Sequence, residues 1–379
     1  MRVLGLMSGT SADGVDAVLV DLRGRSARPR WRILAGAHTP YPADLRERLV
    51  AVGQGTPLNA EALLTLAEDL TEQQALAALA CDPEGRAELV GCHGQTLWHR
   101  PPQGERRGAS WQLLQGPLLA ELLGRPVVFD FRSADLALGG HGAPLVPAAD
   151  AALLGSIGGW RALLNLGGIA NLTLLPPATG PDRGNPVLGW DCGPANTLLD
   201  LAVARFSGGS RPFDADGAWA RQGRIDEARI RHWLQEPYLQ RPPPKSTGRE
   251  LYGSADLERR LADLGEEVDP ADALATLTAF TAAVVGQDLA RGVRPLELLV
   301  AGGGTRNGFL MEQLRRRCRG MAVRRLASCG IADEHREALA FALLAWWRQR
   351  SYPGSLPSVT GARRAAVLGV IASPPPSGG

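Results

Sequence analysis

Lysine is almost missing from this chain. Among 379 residues and 41 basic side chains, Lys245 is the single lysine and every other basic residue is arginine. A Walker-type loop is thereby excluded, because it needs Gly-Lys-Ser/Thr and Lys245 follows Pro244. Any nucleotide must be held by other means. Cysteine is scarce as well: Cys81, Cys92, Cys192, Cys318 and Cys329 form no C-x-x-C pair and no metal-type spacing with the six histidines. That excludes a disulfide scaffold and a zinc ribbon, and it predicts reduced thiols in a cytoplasmic protein. An excess of one charge sign is lacking too, with 41 basic against 39 acidic residues and one short run, "RRRCRG" from Arg315. Nothing points to nucleic acid. No basic-then-apolar leader is read at the N-terminus and no apolar run is expected to reach the roughly 18–20 residues of a membrane span, so no membrane association is expected.

What is present is a repeated alternation of apolar runs and glycine turns. "RVLGLMSG" and "VDAVLVDL" read as strands around a Gly/Ser/Thr turn, and "WRILAGAHTPY" supplies a third. A helix follows from Leu58 to Ala80, then the apolar "AELVGCHGQTLWHR", in the order β-β-β-α-β. "WRALLNLGGIANLTLLPP" and "NPVLGWDCGPANTLLDLAVARF" open a second cycle that echoes the first. At this length two domains are expected, since a single core rarely grows beyond roughly 250–300 residues. The run "QEPYLQRPPPKSTGRE" from Gln235 to Glu250 reads as an irregular loop, because prolines remove backbone donors. Beyond it come a helix starting at Asp269-Pro270, a strand, turn and helix in "LELLVAGGGTRNGFLMEQLRRR", and a last helix in "DEHREALAFALLAWWRQR". The terminal "SPPPSGG" reads as a disordered tail.

Three turns carry the composition of an anion cradle: "MSGTSADGVD", "DCGPAN" from Asp191 and "AGGGTRNGF" from Ala301. Glycines let backbone N–H groups approach a phosphate, and hydroxyls add donors. Each alone is equally an ordinary turn. Together with "CHGQTLWHRP", "FDFRSADLALGGHGAPLVPA", "NLGGIANLT", "PPPKSTGRE", "EALAFALLA" and "LPSVTGARR", they run in the order of the signatures of the anhydro-N-acetylmuramic acid kinase family, from residue 5 to 364. The chain resembles that family, a branch of the superfamily of acetate and sugar kinases, heat-shock chaperones and actin.

The resemblance implies two α/β domains of ribonuclease-H-like topology around an interdomain nucleotide and sugar cleft, with domain 1 at residues 1–130 completed by 355–379 and domain 2 at 131–354. It implies an ATP- and Mg²⁺-dependent kinase that opens 1,6-anhydro-N-acetylmuramic acid with water and phosphorylates O6 in cell-wall recycling. A homodimer is implied as well. The chemistry needs a base, because O6 is tied to C1 and water must open that bridge. Asp191 matches the family's base; its spacing alone also suits a helix N-cap before "NTLLDLAV". The segment Gly9, Thr10, Ser11, Ala12, Asp13, Gly14, Val15 and Asp16 matches the ATP-binding turn, with Asp13 holding Mg²⁺ through water or else capping the turn. Gly193, Asn196, Gly302, Gly303, Gly304 and Asn307 match nucleotide contacts.

Glu337 matches a glutamate near the sugar, with a solvated charge in a first helical turn as the plainer alternative. Arg132 and Asp135 match the sugar pocket, where an arginine suits the lactyl carboxylate, and a structural ion pair is the alternative. His93 and Gln95 match the same region, and His93 also reads as a satisfied buried histidine. Lys245 in its matched loop suggests an ammonium near a phosphate.

Four departures from the family pattern stand out. Ala195 replaces a glycine, which strains the turn if that position needs a positive φ. Ala12 stands in a "Ser-Leu-Asp-Gly" position, Leu114 and Gln115 replace a glycine and an acid, and His141 replaces a glutamine. Two other readings remain compatible with the residues: another small-molecule sugar or carboxylate kinase of the superfamily, or a non-catalytic nucleotide-binding protein.

Overall fold

A computed structural model of the protein describes residues 1–375 apart from 157, 244, 249 and 266. The expected disordered tail, from residue 376 on, and Pro244 and Arg249 of the matched loop therefore lie outside the described residues. The chain divides into two compact units, Met1–Leu154 with Glu334–Gly379, and Gly155–Asp333. The sequence placed the boundaries at 130 and 354, and the difference has a packing cause. Helix Val146–Leu154 lies against helix Arg336–Gln349, and Arg336 closes on Asp150 at 2.6 Å. Both flanking segments thus belong to the first unit.

The first unit is built on a six-stranded sheet of β1 (Arg2–Met7), β2 (Gly14–Arg25), β3 (Arg28–Pro40), β4 (Leu89–Cys92), β7 (Val127–Phe129) and β13 (Val370–Ala372). Their order across the sheet is β13-β7-β4-β1-β2-β3. β1, β2 and β3 pair antiparallel, while β4 and β7 run parallel to β1. Between β4 and β7 a separate hairpin pairs β5 (Gln95–Arg100) with β6 (Ala109–Leu113), so the apolar run read as one strand is two. Helix Ala60–Cys81 begins where Asn59 accepts from the Ala62 N–H at 2.8 Å and buries Leu66, Leu70, Ala77, Ala78 and Cys81 against the sheet. Full burial of one such leucine contributes roughly 1.5–3 kcal/mol.

The second unit repeats the plan with β8 (Arg161–Leu166), β9 (Ile169–Leu175), β10 (Leu188–Pro194), β11 (Glu297–Ala301) and β12 (Ala322–Arg325), in the order β10-β9-β8-β11-β12. β8, β9 and β10 form an antiparallel meander and β11 and β12 run parallel to β8. Strand for strand this is the order and direction of β3-β2-β1-β4-β7, the ribonuclease-H-like arrangement. The echo heard in the sequence is a shared topology.

Helix Pro270–Ala290 corrects one expectation. At 21 residues it is long and apolar enough to pass for a membrane span, yet 83% of its apolar window is buried in the second unit, where it packs on β10 and helices Asn196–Phe206 and Gly308–Arg317. It is a core helix, started by Asp269 accepting from the Ala271 N–H at 2.8 Å. The loop read as irregular from Gln235 also holds one short helix, Pro237–Gln240, because proline is tolerated in a first helical turn where no intrahelical donor is required.

Candidate active site

In the first unit the strand ends β1 and β2 are joined by the turn Ser8–Asp13. Ala12 donates its N–H to the Gly9 carbonyl at 3.1 Å with φ +48°, so the alanine in the "Ser-Leu-Asp-Gly" position takes up a left-handed turn. Gln95 clamps this turn from β5. Its amide donates to the Gly9 carbonyl at 2.9 Å and its carbonyl accepts from the Ser8 hydroxyl at 2.5 Å. The Gln95 side chain is buried and spent on the turn. Thr10, Ser11 and Asp13 are exposed, and Ser11 donates to Asp13 Oδ1 at 2.9 Å. Ala12 and Val15 are each 1% exposed, so neither presents its side chain to a ligand. Gly14 pairs with Pro40 in the sheet.

Asp16 accepts from His38 Nδ1 at 2.8 Å; burial raises its carboxyl above the usual range, opposed by the hydrogen bond and charge of His38. Glu337 lies in the first turn of helix Arg336–Gln349 and is exposed. Crowding by protein atoms raises its carboxyl above the usual range, while Arg336 and Arg132 pull it back and Asp150 and Asp16 push it further. The fields of Asp13, Asp16, Arg132 and Glu337 thus overlap: the structure brings these predicted residues together.

Arg132 is held by His93. His93 Nδ1 donates to the Gly94 carbonyl at 2.8 Å, which leaves Nε2 as an acceptor for Arg132 Nη2 at 2.8 Å and Nε at 3.2 Å. Burial first, and the Arg132 charge second, push the imidazole down to about 3, so it stays neutral. Arg132 Nη1 donates to the Gly142 carbonyl at 2.8 Å. Asp135 is fully buried, with Oδ1 accepting from the Thr360 hydroxyl at 2.8 Å and Oδ2 from the Gly142 N–H at 2.9 Å. It ties the Gly139–Gly142 turn to the returning C-terminal segment. Neither Gln95 nor Asp135 presents an unengaged side chain.

In the second unit three turns converge at the ends of β8, β10 and β11. Ala195 and Thr197 donate to the Gly168 carbonyl at 2.9 and 3.1 Å, and Asn196 donates its N–H to Gly167 O at 3.1 Å and its amide to Leu166 O at 3.0 Å. A Cβ on Gly304 would meet Leu166 Cβ and, at 3.2 Å, Asn196 Oδ1, and one on Gly302, whose φ is +87°, would strike Asn165 and Leu166. Gly303 has open space around it. Gly193 is packed beneath Val284 and Leu239. Asn307 is spent as the N-cap of helix Gly308–Arg317, accepting from the Leu310 N–H at 2.9 Å. Ala195 has φ −125°, so the methyl that replaces a glycine causes no left-handed strain.

Asp191 lies inside β10 and the N-cap of the following helix is Ala195, which removes the capping alternative. Its carboxylate is fixed from two sides: Asn171 of β9 donates to Oδ1, while the Ser246 hydroxyl and the Thr247 N–H donate to Oδ2 at 2.8 and 3.0 Å. Its main chain is fixed too, the N–H donating to Lys245 O at 3.0 Å and the carbonyl accepting from Tyr238 at 2.7 Å. A carboxylate offers about four lone-pair directions, so these three donors among the described residues leave room for one water. Lys245 does not offer its ammonium to a phosphate: it is buried against Asp288 Oδ1 at 2.9 Å, both side chains 1% exposed. Ser8, His38, Asn171, Ser246 and Thr247 were not singled out from the sequence. All five stand in quoted turns and strands, as Tyr238 stands in the quoted proline-rich run, whereas Asp288 sits inside a core helix and gave no signal.

Two ribonuclease-H-like sheets, one with a hydroxyl-rich turn at its first hairpin and the other with a fixed carboxylate beside glycine turns, define the actin-like class of phosphotransferases. Within that class, residues 1–374 match the family model described as anhydro-N-acetylmuramic acid kinase. Proteins named anhydro-N-acetylmuramic acid kinase from Synechococcus sp. (strain CC9902) and Parasynechococcus marenigrum (strain WH8102) are each 63% identical over 379 residues, covering 99% of this chain and 100% of the relative. A xylulose kinase structure from Rhodospirillum rubrum is 13% identical with a TM-score of 0.49, covering 99% of this chain and 95% of that one. The chain belongs to the anhydro-N-acetylmuramic acid kinase family.

Proposed function

We propose that the protein converts 1,6-anhydro-N-acetylmuramic acid, ATP and water to N-acetylmuramic acid 6-phosphate and ADP, in peptidoglycan recycling. Asp191 takes a proton from water, the water oxygen bonds to C1 as the C1–O6 bond breaks, and O6 accepts the γ-phosphoryl group. The observation that carries this reading is the Asp191 carboxylate, held by Asn171, Ser246 and Thr247 with one acceptor direction unspent among the described residues. A base so fixed needs no reorganisation before it acts.

The turn Gly9–Ser11 supplies backbone and hydroxyl donors to the β- and γ-phosphates, and Gly302–Gly304 give the nucleoside close backbone approach. Arg132, oriented by neutral His93, pairs with the lactyl carboxylate, and Glu337 orients the sugar or the water. Asp135 and Gln95 support these groups. Asp13 suits a hydrated Mg²⁺, because its carboxylate is exposed beside the Ser11 hydroxyl in the phosphate-facing turn. The ion, when bound, neutralises charge on the transferred phosphoryl group.

The test is ADP release with the anhydro sugar and a mass measurement of the product. Addition of one phosphate and one water is expected, and Asp191→Asn is expected to abolish turnover. Equal phosphorylation of free N-acetylmuramic acid, or full turnover by Asp191→Asn, would refute the reading.

A further inference from the structure

Lys245 is the chain's single lysine, and the structure buries its charge where no ligand can reach it. Its Nζ lies 2.9 Å from Asp288 Oδ1 and 5.2 Å from the centre of the Tyr238 ring. Asp288, on the core helix Pro270–Ala290, completes its other oxygen with Trp190 Nε1 at 2.9 Å. Trp190 precedes Asp191 in β10, and Tyr238 donates to the Asp191 carbonyl. These partners of the buried pair therefore touch Asp191 or are its strand neighbour. The two residues that follow Lys245, Ser246 and Thr247, are the donors on Asp191 Oδ2.

Resting on the proposed role of Asp191, we infer that Lys245 is a positioning residue for the base. Its ion pair with Asp288 anchors an otherwise proline-rich loop so that Ser246 and Thr247 stay on Oδ2 and one lone-pair direction stays aimed at the water. The requirement is geometric. Ser246 is exposed, and from Arg241 to Glu250 Lys245 is the one side chain in a buried ion pair among the described residues, its carbonyl also accepting from the Asp191 N–H, so the register of the Ser246 hydroxyl and of the Thr247 N–H depends on where Lys245 is pinned. Ion pairs buried this deeply add little net stability compared with apolar replacements, because desolvating both charges offsets their attraction. Placing a loop is a task for which the pair's directional contacts suffice.

The test is a double-mutant cycle on kcat and KM. Lys245→Met/Asp288→Asn removes both charges together, leaving neither one buried alone, and the amide oxygen that takes the place of the Asp288 carboxylate can still accept from Trp190. We expect this variant to fold with KM for both substrates within about twofold of wild type and kcat lowered at least about tenfold, as misplacement of a reacting group does. Ser246→Ala alone lowers kcat; in the double-variant background it should lower kcat hardly further, since the clamp is already lost. Wild-type kcat in the folded double variant, or the same Ser246→Ala factor in both backgrounds, would overturn the inference. Should the double variant fail to fold, Lys245→Arg decides: it keeps the charge but displaces the loop, and wild-type kcat there overturns the inference equally. Asp191→Asn is run alongside. Retained turnover in that variant sinks the role of Asp191 itself; lost turnover beside an unaffected Lys245 variant sinks only the anchor.

Discussion

Gly5→Ala should do more damage than any other exchange of a single hydrogen for a methyl in β1. A Cβ built at Gly5 would collide with the main-chain carbonyl of Ala338 and stand 2.9 Å from Ala342 Cβ, where ordinary contacts are 3.4–4 Å. Both obstacles belong to helix Arg336–Gln349, and neither is a flexible side chain. The helix must lift, and Glu337 lies one residue before the point of collision. Overpacking of this kind costs about 1–3 kcal/mol, and a backbone obstacle places the cost toward the upper end. At about 2–3 kcal/mol the folded-to-unfolded ratio falls roughly 30- to 150-fold. We expect a lowered urea midpoint with an unchanged slope, together with a lowered kcat, since the displaced helix carries Glu337. Gly91→Ala, one strand over in β4, meets the Phe341 carbonyl and Ala345 Cβ of the same helix and should behave alike. Gly184→Ala, with nothing within 4 Å, is the control and should stay within about 0.5 kcal/mol of wild type. A Gly5→Ala protein as stable and as active as the Gly184→Ala control would refute the close-approach argument.

Other outcomes follow from the same side chains. His93 is neutral when folded, with its imidazole pushed down to about 3, against about 6.5 when unfolded. The unfolded chain therefore binds the extra proton between those values, and stability present above pH 6.5 is lost as pH falls toward 3. His93→Asn should flatten that part of the melting-temperature profile, and parallel profiles would contradict it. Glu337 has a raised carboxyl, so its contribution is present below the ordinary value of 4.5 and is lost as pH rises through the folded value. Glu337→Gln should gain stability relative to wild type as pH rises through that window while losing about 10²-fold in kcat, read by thermal melts and ADP release. Arg260, fully buried, stacks on Phe280 at 4.3 Å and pairs with Asp256 and Glu236 at 2.8 and 2.9 Å. Arg260→Ala should destabilise the second unit by about 2–5 kcal/mol, chiefly by emptying the buried space its side chain fills against Trp233 and Phe280, since Arg259 still pairs with Asp256 and Glu236, whereas a loss under about 1 kcal/mol in denaturant melts would contradict that.

The longer strands, β1 to β4 and β8 to β11, were legible as apolar runs beside turn residues, and the second cycle as an echo of the first, whereas the three-residue β7 and β13 and the arginine-bearing β12 carried no such pattern. The unit boundaries were not, because they depend on where helix Arg336–Gln349 docks. Its sequence "EALAFALLAWW" shows only that it is apolar; that it lies on β1 and β4 is decided by Gly5 and Gly91, which read as ordinary strand residues. Helix Pro270–Ala290 was similarly opaque, since apolar length is the same in a core and in a membrane until its neighbours are known.

The candidate site divides along the same line. Residues in local turns could be placed from the sequence, because a turn's chemistry is written in consecutive letters: Gly9 to Asp16, Asp191 to Asn196, Gly302 to Gly304. Side chains that reach across the fold could not. Gln95 was expected on a sugar and is spent on Ser8 and Gly9; Asp135 was expected in a pocket and is buried against Thr360, 225 residues away. Lys245 shows the limit most sharply. Its rarity marked it as a residue with a task, but a cation near a phosphate and a cation buried beneath β10 look identical in one dimension. What separates them is the distant Asp288, 43 residues on in an apolar helix, whose charge has no local reason to be there. An acid buried within a core helix and a lone lysine in a proline-rich loop each lack an explanation alone. As a pair they explain each other, and the residues flanked by that pair are the ones that hold Asp191.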